Sequence, residues 1–84
     1  MWFKRKPYRV KLTGRAGLIY KEGGKSMLVD SEMLVGPQFD MVIFTDSIKA
    51  WQSPDESEPL SQEDKARIKE NITKELSNLR IDWQ

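Results

Sequence analysis

Neither cysteine nor histidine occurs among the 84 residues. Without cysteine, no disulfide can offset a small core, and thiol chemistry is excluded. Without histidine, the commonest general base near neutral pH is missing, and with both gone so are the usual transition-metal ligands and nucleophile–base pairs. What remains is carboxylates, lysines and hydroxyls, and nothing among them assembles a base with a nucleophile. No enzymatic activity, cofactor or metal is therefore expected. Long apolar runs are also lacking. The start, Met1-Trp2-Phe3-Lys4-Arg5-Lys6-Pro7, carries charge with no apolar stretch behind it, so neither a membrane span nor a secretory signal is expected and the cytosol is the expected compartment.

The apolar fraction is 38%, low but adequate for one small core. A single domain of this size buries only about 60–65% of its unfolded surface, so modest stability is expected. The net charge of +1 conceals a strong sorting. Residues 1–25 hold eight basic side chains against Glu22 alone, whereas residues 26–64 hold nine acids against Lys49 alone. Sorting of this kind concerns partners more than fold.

Tyr8, Val10 and Leu12 alternate with Arg9, Lys11 and Thr13, the period of a half-buried strand. Leu18-Ile19-Tyr20 opens a second strand, and Gly23-Gly24 marks a hairpin turn that returns through Met27-Leu28-Val29. Asp30-Ser31 reads as a bend or bulge, Met33-Leu34-Val35 as a short continuation, and Phe39 to Thr45 as the clearest strand. Ser61 is the expected helix N-cap, with Asp64 in the capping-box position. Ile68, Ile72, Leu76 and Leu79 form one apolar stripe, and Glu63–Arg67 and Glu70–Lys74 sit at favourable i,i+4 spacing. Arg80 to Trp83 extends as a last short strand or a packed tail. The expected division is a basic tail (1–7), strands (8–51), an acidic proline-containing loop (52–60), a helix (61–79) and a tail (80–84). The expected fold is α+β: an antiparallel meander of four to five strands with one carboxy-terminal helix packed on one face.

One helix covers one face of a sheet, yet the strands carry apolar residues on both. The second face calls for strong curvature, for the aromatic tails Trp2-Phe3 and Trp83, or for another chain.

Candidate motifs reduce mostly to structure. Asp30 and Glu32 share a strand face, as a divalent-metal or acid/base pair requires, but fit a solvated strand edge or bulge better. Gly23-Gly24-Lys25-Ser26 resembles the end of a phosphate-binding loop, but Ile19 stands where the motif needs glycine and a strand follows in place of a helix. Asn71-Ile72-Thr73 matches a glycosylation acceptor inside the helix, a chance match. The basic segment 2–25, with Trp2, Phe3, Tyr8 and Tyr20 interleaved, offers an alternative function as a small nucleic-acid-binding module, against which stands the pI of about 8.0. The acidic segment is the sharper signal. From Asp46 to Asp64 there are six acids with only Lys49 opposing them, and Trp51 sits among them. Asp46, Trp51, Asp55, Glu56 and Glu58 are the candidate contacts for a basic protein partner, with Trp51 as an exposed anchor and the acids as steering charges.

From Gly23 to Ile72 the chain also resembles a known family. The residues Gly23-Gly24-Lys25-Ser26-Met27, Asp30-Ser31-Glu32-Met33-Leu34, Met41-Val42-Ile43-Phe44, Ile48…Trp51…Pro54 and Ser61-Gln62-Glu63-Asp64 are similar to those of small immunity proteins from bacterial polymorphic-toxin and contact-dependent growth-inhibition systems. The first 15 residues lie outside the resemblance. It implies a non-enzymatic cytosolic protein that binds a cognate toxin and blocks its active site or substrate entry; a nuclease, whose cleft is basic, is one such toxin. No membrane partner is implied, and monomer and homodimer both remain open.

Overall fold

Alternating residues place one half of each strand's side chains in a common core, and the structure, a computed structural model describing residues 7–84, is built on that alternation. Strands β1 (Tyr8–Leu12), β2 (Ala16–Glu22), β3 (Lys25–Met33), β4 (Met41–Ile43) and β5 (Ile81–Trp83) form one sheet in the order β1-β2-β3-β4-β5. Between β4 and β5 come a 3₁₀ turn (Thr45–Ser47) and helix α1 (Gln62–Glu75). The expected basic tail, apart from Pro7, lies outside the described residues.

The first four strands form the antiparallel meander the alternation predicts. Gly23 and Gly24 take φ of +57° and +81°, the left-handed conformations of a two-residue hairpin turn, which explains both glycines without a phosphate. Val29 pairs with Leu18 and Glu32 with Ala16, so β3 carries one extra residue at Asp30-Ser31, the expected bulge. The bulge frees the Asp30 amide, which donates to Ser47 Oγ at 2.8 Å and docks the 3₁₀ turn on β3.

The expected α+β fold, a sheet with one carboxy-terminal helix, is found, with differences of detail. The sheet is mixed, because β5 pairs parallel to β4. Parallel neighbours need a crossover, and the turn, loop and helix between Ile43 and Ile81 supply it. β4 is three residues, shorter than the expected Phe39–Thr45. On its amino-terminal side Leu34 N donates to Asp40 O at 2.9 Å, closing a loop around Pro37, and on the other side Ser47 N donates to Phe44 O at 3.0 Å, so the chain already turns. Met33 ends β3, and Leu34 and Val35 belong to that loop rather than to a continuing strand.

Helix α1 starts as its residues dictate. Ser61 Oγ accepts from Asp64 N and Ser61 N donates to Asp64 Oδ2, both at 3.0 Å, satisfying two otherwise orphaned groups. It ends at Glu75 rather than 79, since Ser77 and Asn78 favour local turns and Leu79 N bonds back to Leu76 O at 2.9 Å. Glu70–Lys74 pairs at 3.2 Å, but Arg67 turns from Glu63 to Asp64 and Glu22, each at 2.7 Å. Ile68 and Ile72 pack on Leu18, Tyr20, Met27, Val29, Met41 and Ile43, with Ile48 and Trp51 closing the core.

Candidate functional site

At the hairpin end of the sheet, Trp51 slides beneath the chain and is only 3% exposed. Its ring stacks on Tyr20 at 6.3 Å, and the Lys25 ammonium sits over it at 5.0 Å. The expected exposed aromatic anchor is thus a core residue: enough apolar and cationic surface converges on the indole to remove it from water. The acidic loop is built on top of it. Gln52 N donates to Ser26 O at 2.8 Å, and two further turns bring Asp55 N to Gln52 O and Glu58 N to Asp55 O, both at 3.0 Å. Lys25 Nζ then reaches Glu58 at 2.7 Å, and this bond to Glu58 pushes the lysine's pKa upward.

The candidate acids divide into two groups. Asp55, Glu56 and Glu58 share the turns above Trp51. Asp46 stands on the 3₁₀ turn that Ser47 fixes to Asp30, at the bulge. Lys25 and Asp30 lie five residues apart on β3, or about 16 Å along a strand. The structure therefore brings three of the four acids together and places Asp46 apart from them.

Beside the loop, a polar network ties α1 to β2. Tyr20 is wholly buried; its hydroxyl donates to Glu22 Oε2 at 2.7 Å and accepts from Asn71 Nδ2 at 2.9 Å. Arg67 clamps Glu22 through Nε (3.1 Å) and Nη2 (2.7 Å) and reaches Asp64 through Nη1 (2.7 Å). Burial works against the Glu22 charge, but the bonds from Arg67 and Tyr20 prevail and hold its pKa below the ordinary value. The Ser61 amide, then Arg67, hold Asp64 at about 2. Burial pushes the Tyr20 hydroxyl up, so it remains a donor. Asn71 therefore has a structural role, which accounts for the glycosylation-like triplet.

Among the described residues, no helix lies on the opposite face of the sheet. Trp83 does not cover it: Lys69 Nζ lies 5.0 Å over the Trp83 ring, so this tail packs on the helix side. Trp2 and Phe3 lie outside the described residues. Register places Lys11, Ile19 and Leu28 in one row across β1, β2 and β3, and Arg9, Lys21 and Ser26 in the next. Leu28 is 50% exposed, and Phe44, beyond the end of β4, is 39% exposed. Val42, absent from the core cluster, takes the same face between Glu32 and Asp82 in register and is 6% exposed. Phe44 and Leu28 border a shallow depression with Thr13, Asp30 and Glu32. Asp30 and Glu32 are thus the bulged, solvated strand residues that the spacing suggests, now beside exposed apolar groups. The apolar residues on both faces of β2–β4 already mark this second face in the sequence as one that calls for cover, but its charged residues are not among the candidate contacts.

Basic and aromatic residues of β1–β2 separate onto opposite faces. Tyr8 and Tyr20 stack on each other at 6.2 Å on the helix side, leaving Arg9, Lys11 and Lys21 without them. Tyr20 is wholly buried, while Tyr8 is half-buried.

A scan of protein families matches the family described as Immunity protein 74 over residues 10–83, nearly the whole sheet and all of the helix. The chain belongs to the Immunity protein 74 family. The match extends the resemblance toward the amino terminus, so β1 from Val10 onward is part of the family domain. No curated protein and no solved structure gives a significant match. Within this Immunity protein 74 domain, no helix among the described residues is long and apolar enough to cross a membrane.

Proposed function

We propose that this chain is a non-enzymatic inhibitor that binds a cognate bacterial toxin domain in the cytosol and neutralises it by covering its active site or substrate entry. The family match over residues 10–83 carries this reading, since the family is one of immunity proteins of toxin systems. The contact surface we propose is the acidic loop. Asp55, Glu56 and Glu58 are gathered on turns fastened to β3, so their charges are presented from a positioned loop at little ordering cost on binding. Asp46 adds a more distant steering charge, and Trp51 serves from below as the platform that holds Lys25 and, through it, Glu58. A basic substrate cleft, such as that of a nuclease, is the complementary partner for this charge.

Charge reversal tests the surface. Asp55→Lys, Glu56→Lys and Glu58→Lys together slow association with the toxin domain by about tenfold at low salt and flatten its salt dependence. Stopped-flow binding at several ionic strengths reads both. A triple variant that associates at the wild-type rate at low salt overturns the acidic-loop interface, whether or not neutralisation survives.

A further inference from the structure

We propose that the open face of the sheet is a self-association surface whose occupant is a second copy of this chain. The charge sorting along the sequence becomes, on this face, a sorting in space. Lys11 and Lys21 lie on the β1–β2 side, and Asp30 and Glu32 on the β3 side, with Leu28 and Phe44 exposed alongside them. Among the described residues none of these four charges is engaged in an ion pair.

Such a surface is complementary to itself. A two-fold rotation about an axis near Leu28 lays the basic half of one copy on the acidic half of the other, and does so twice. The same rotation stacks the exposed apolar groups of both copies at the centre, where water is excluded and the flanking charges gain. Other occupants meet like charge somewhere. A basic toxin cleft would be repelled by Lys11 and Lys21, and a nucleic-acid backbone by Asp30 and Glu32. The acidic loop bonds to Lys25 over Trp51 on the helix side of the sheet, so a dimer formed through the open face leaves that loop accessible. Five short strands give a contact at the small end of specific interfaces, so the dimer is expected to be weak, concentration-dependent and salt-sensitive.

Sedimentation equilibrium of the full chain at low and high salt tests this, together with a charge swap. Lys11→Glu with Lys21→Glu turns the face predominantly acidic, with Arg9 kept, and Asp30→Lys with Glu32→Lys turns it predominantly basic, with Asp82 kept. All four side chains are exposed, so both variants should remain folded, which circular dichroism verifies. Wild type is expected to dimerise at low salt and to weaken as salt rises. Each variant alone should weaken self-association by about tenfold or more. Mixing the two should restore a one-to-one heterodimer. A chain that stays monomeric at high concentration in low salt, a dimer indifferent to both variants, or a mixture that fails to associate overturns the proposal. So does a wild-type chain that is monomeric and loses toxin binding through these substitutions, because the face would then belong to the toxin. Self-association does not depend on toxin neutralisation, and a monomer that still neutralises would refute the dimer alone.

Discussion

Trp51 shows how a single side chain can be misplaced by its neighbours in sequence. Its surroundings from Asp46 to Asp64 are acidic, yet the indole is buried against Tyr20 and roofed by Lys25, residues far away along the chain. Truncating a buried tryptophan removes its packing and leaves a cavity, at a cost of about 3–5 kcal/mol. That is a large share of the roughly 5–15 kcal/mol that stabilises an ordinary small domain. Trp51→Ala should therefore lower stability by about that amount in urea titration, while Trp51→Phe retains a cooperative transition closer to wild type. A Trp51→Ala variant within about 1 kcal/mol of wild type would put the side chain back on the surface. Local composition made Asp46, Glu56 and Glu58 legible as exposed; the burial of Trp51 was not, since it depends on long-range contacts that no local pattern encodes.

Elements whose signals are local were the legible ones. The capping box at Ser61 and Asp64, the paired glycines of the hairpin and the bulge at Asp30 each act within a few residues, and each is found where the sequence places it. β5 is different. Ile81-Asp82-Trp83 is too short to declare its direction, and its parallel register follows from the crossover that α1 completes. Asp40 helps fix that register: its carboxylate accepts from Arg80 N (2.8 Å), Nε (3.3 Å) and Nη2 (3.0 Å). The tie between α1 and β2 makes a pH-dependent prediction. Glu22 and Asp64 both have folded-state pKa values below their ordinary values of 4.5 and 3.8, so each contributes stability above its ordinary value and loses it as pH falls through the folded one. The loss begins near pH 4.5 and, for Asp64, is complete only below about 2. Arg67 holds both carboxylates, so Arg67→Met should flatten the fall in melting temperature across this window. Near neutral pH it should cost only about 0.5–1 kcal/mol, because the guanidinium is partly exposed. Parallel melting curves for the two proteins would show that the network does not govern acid sensitivity.

For the whole molecule, the near-zero net charge of +1 conceals charge sorted by place. Arg9, Lys11 and Lys21 line one half of the sheet face opposite the helix, Asp30 and Glu32 lie on its other half, and Asp55, Glu56 and Glu58 gather on the loop above Trp51. Among the described residues, one small core, one helix and a sheet face that no helix covers give a domain whose recognisable chemistry is electrostatic and whose family is that of an immunity protein. Neutralisation of a cognate toxin is the central claim. Its most direct measurement is growth on co-expression of this chain with toxin domains encoded beside its gene, followed by purification through a tag on one partner. The account predicts restored growth and recovery of both chains as a stable complex. Undiminished toxicity, with the chain soluble and no complex recovered, would contradict it.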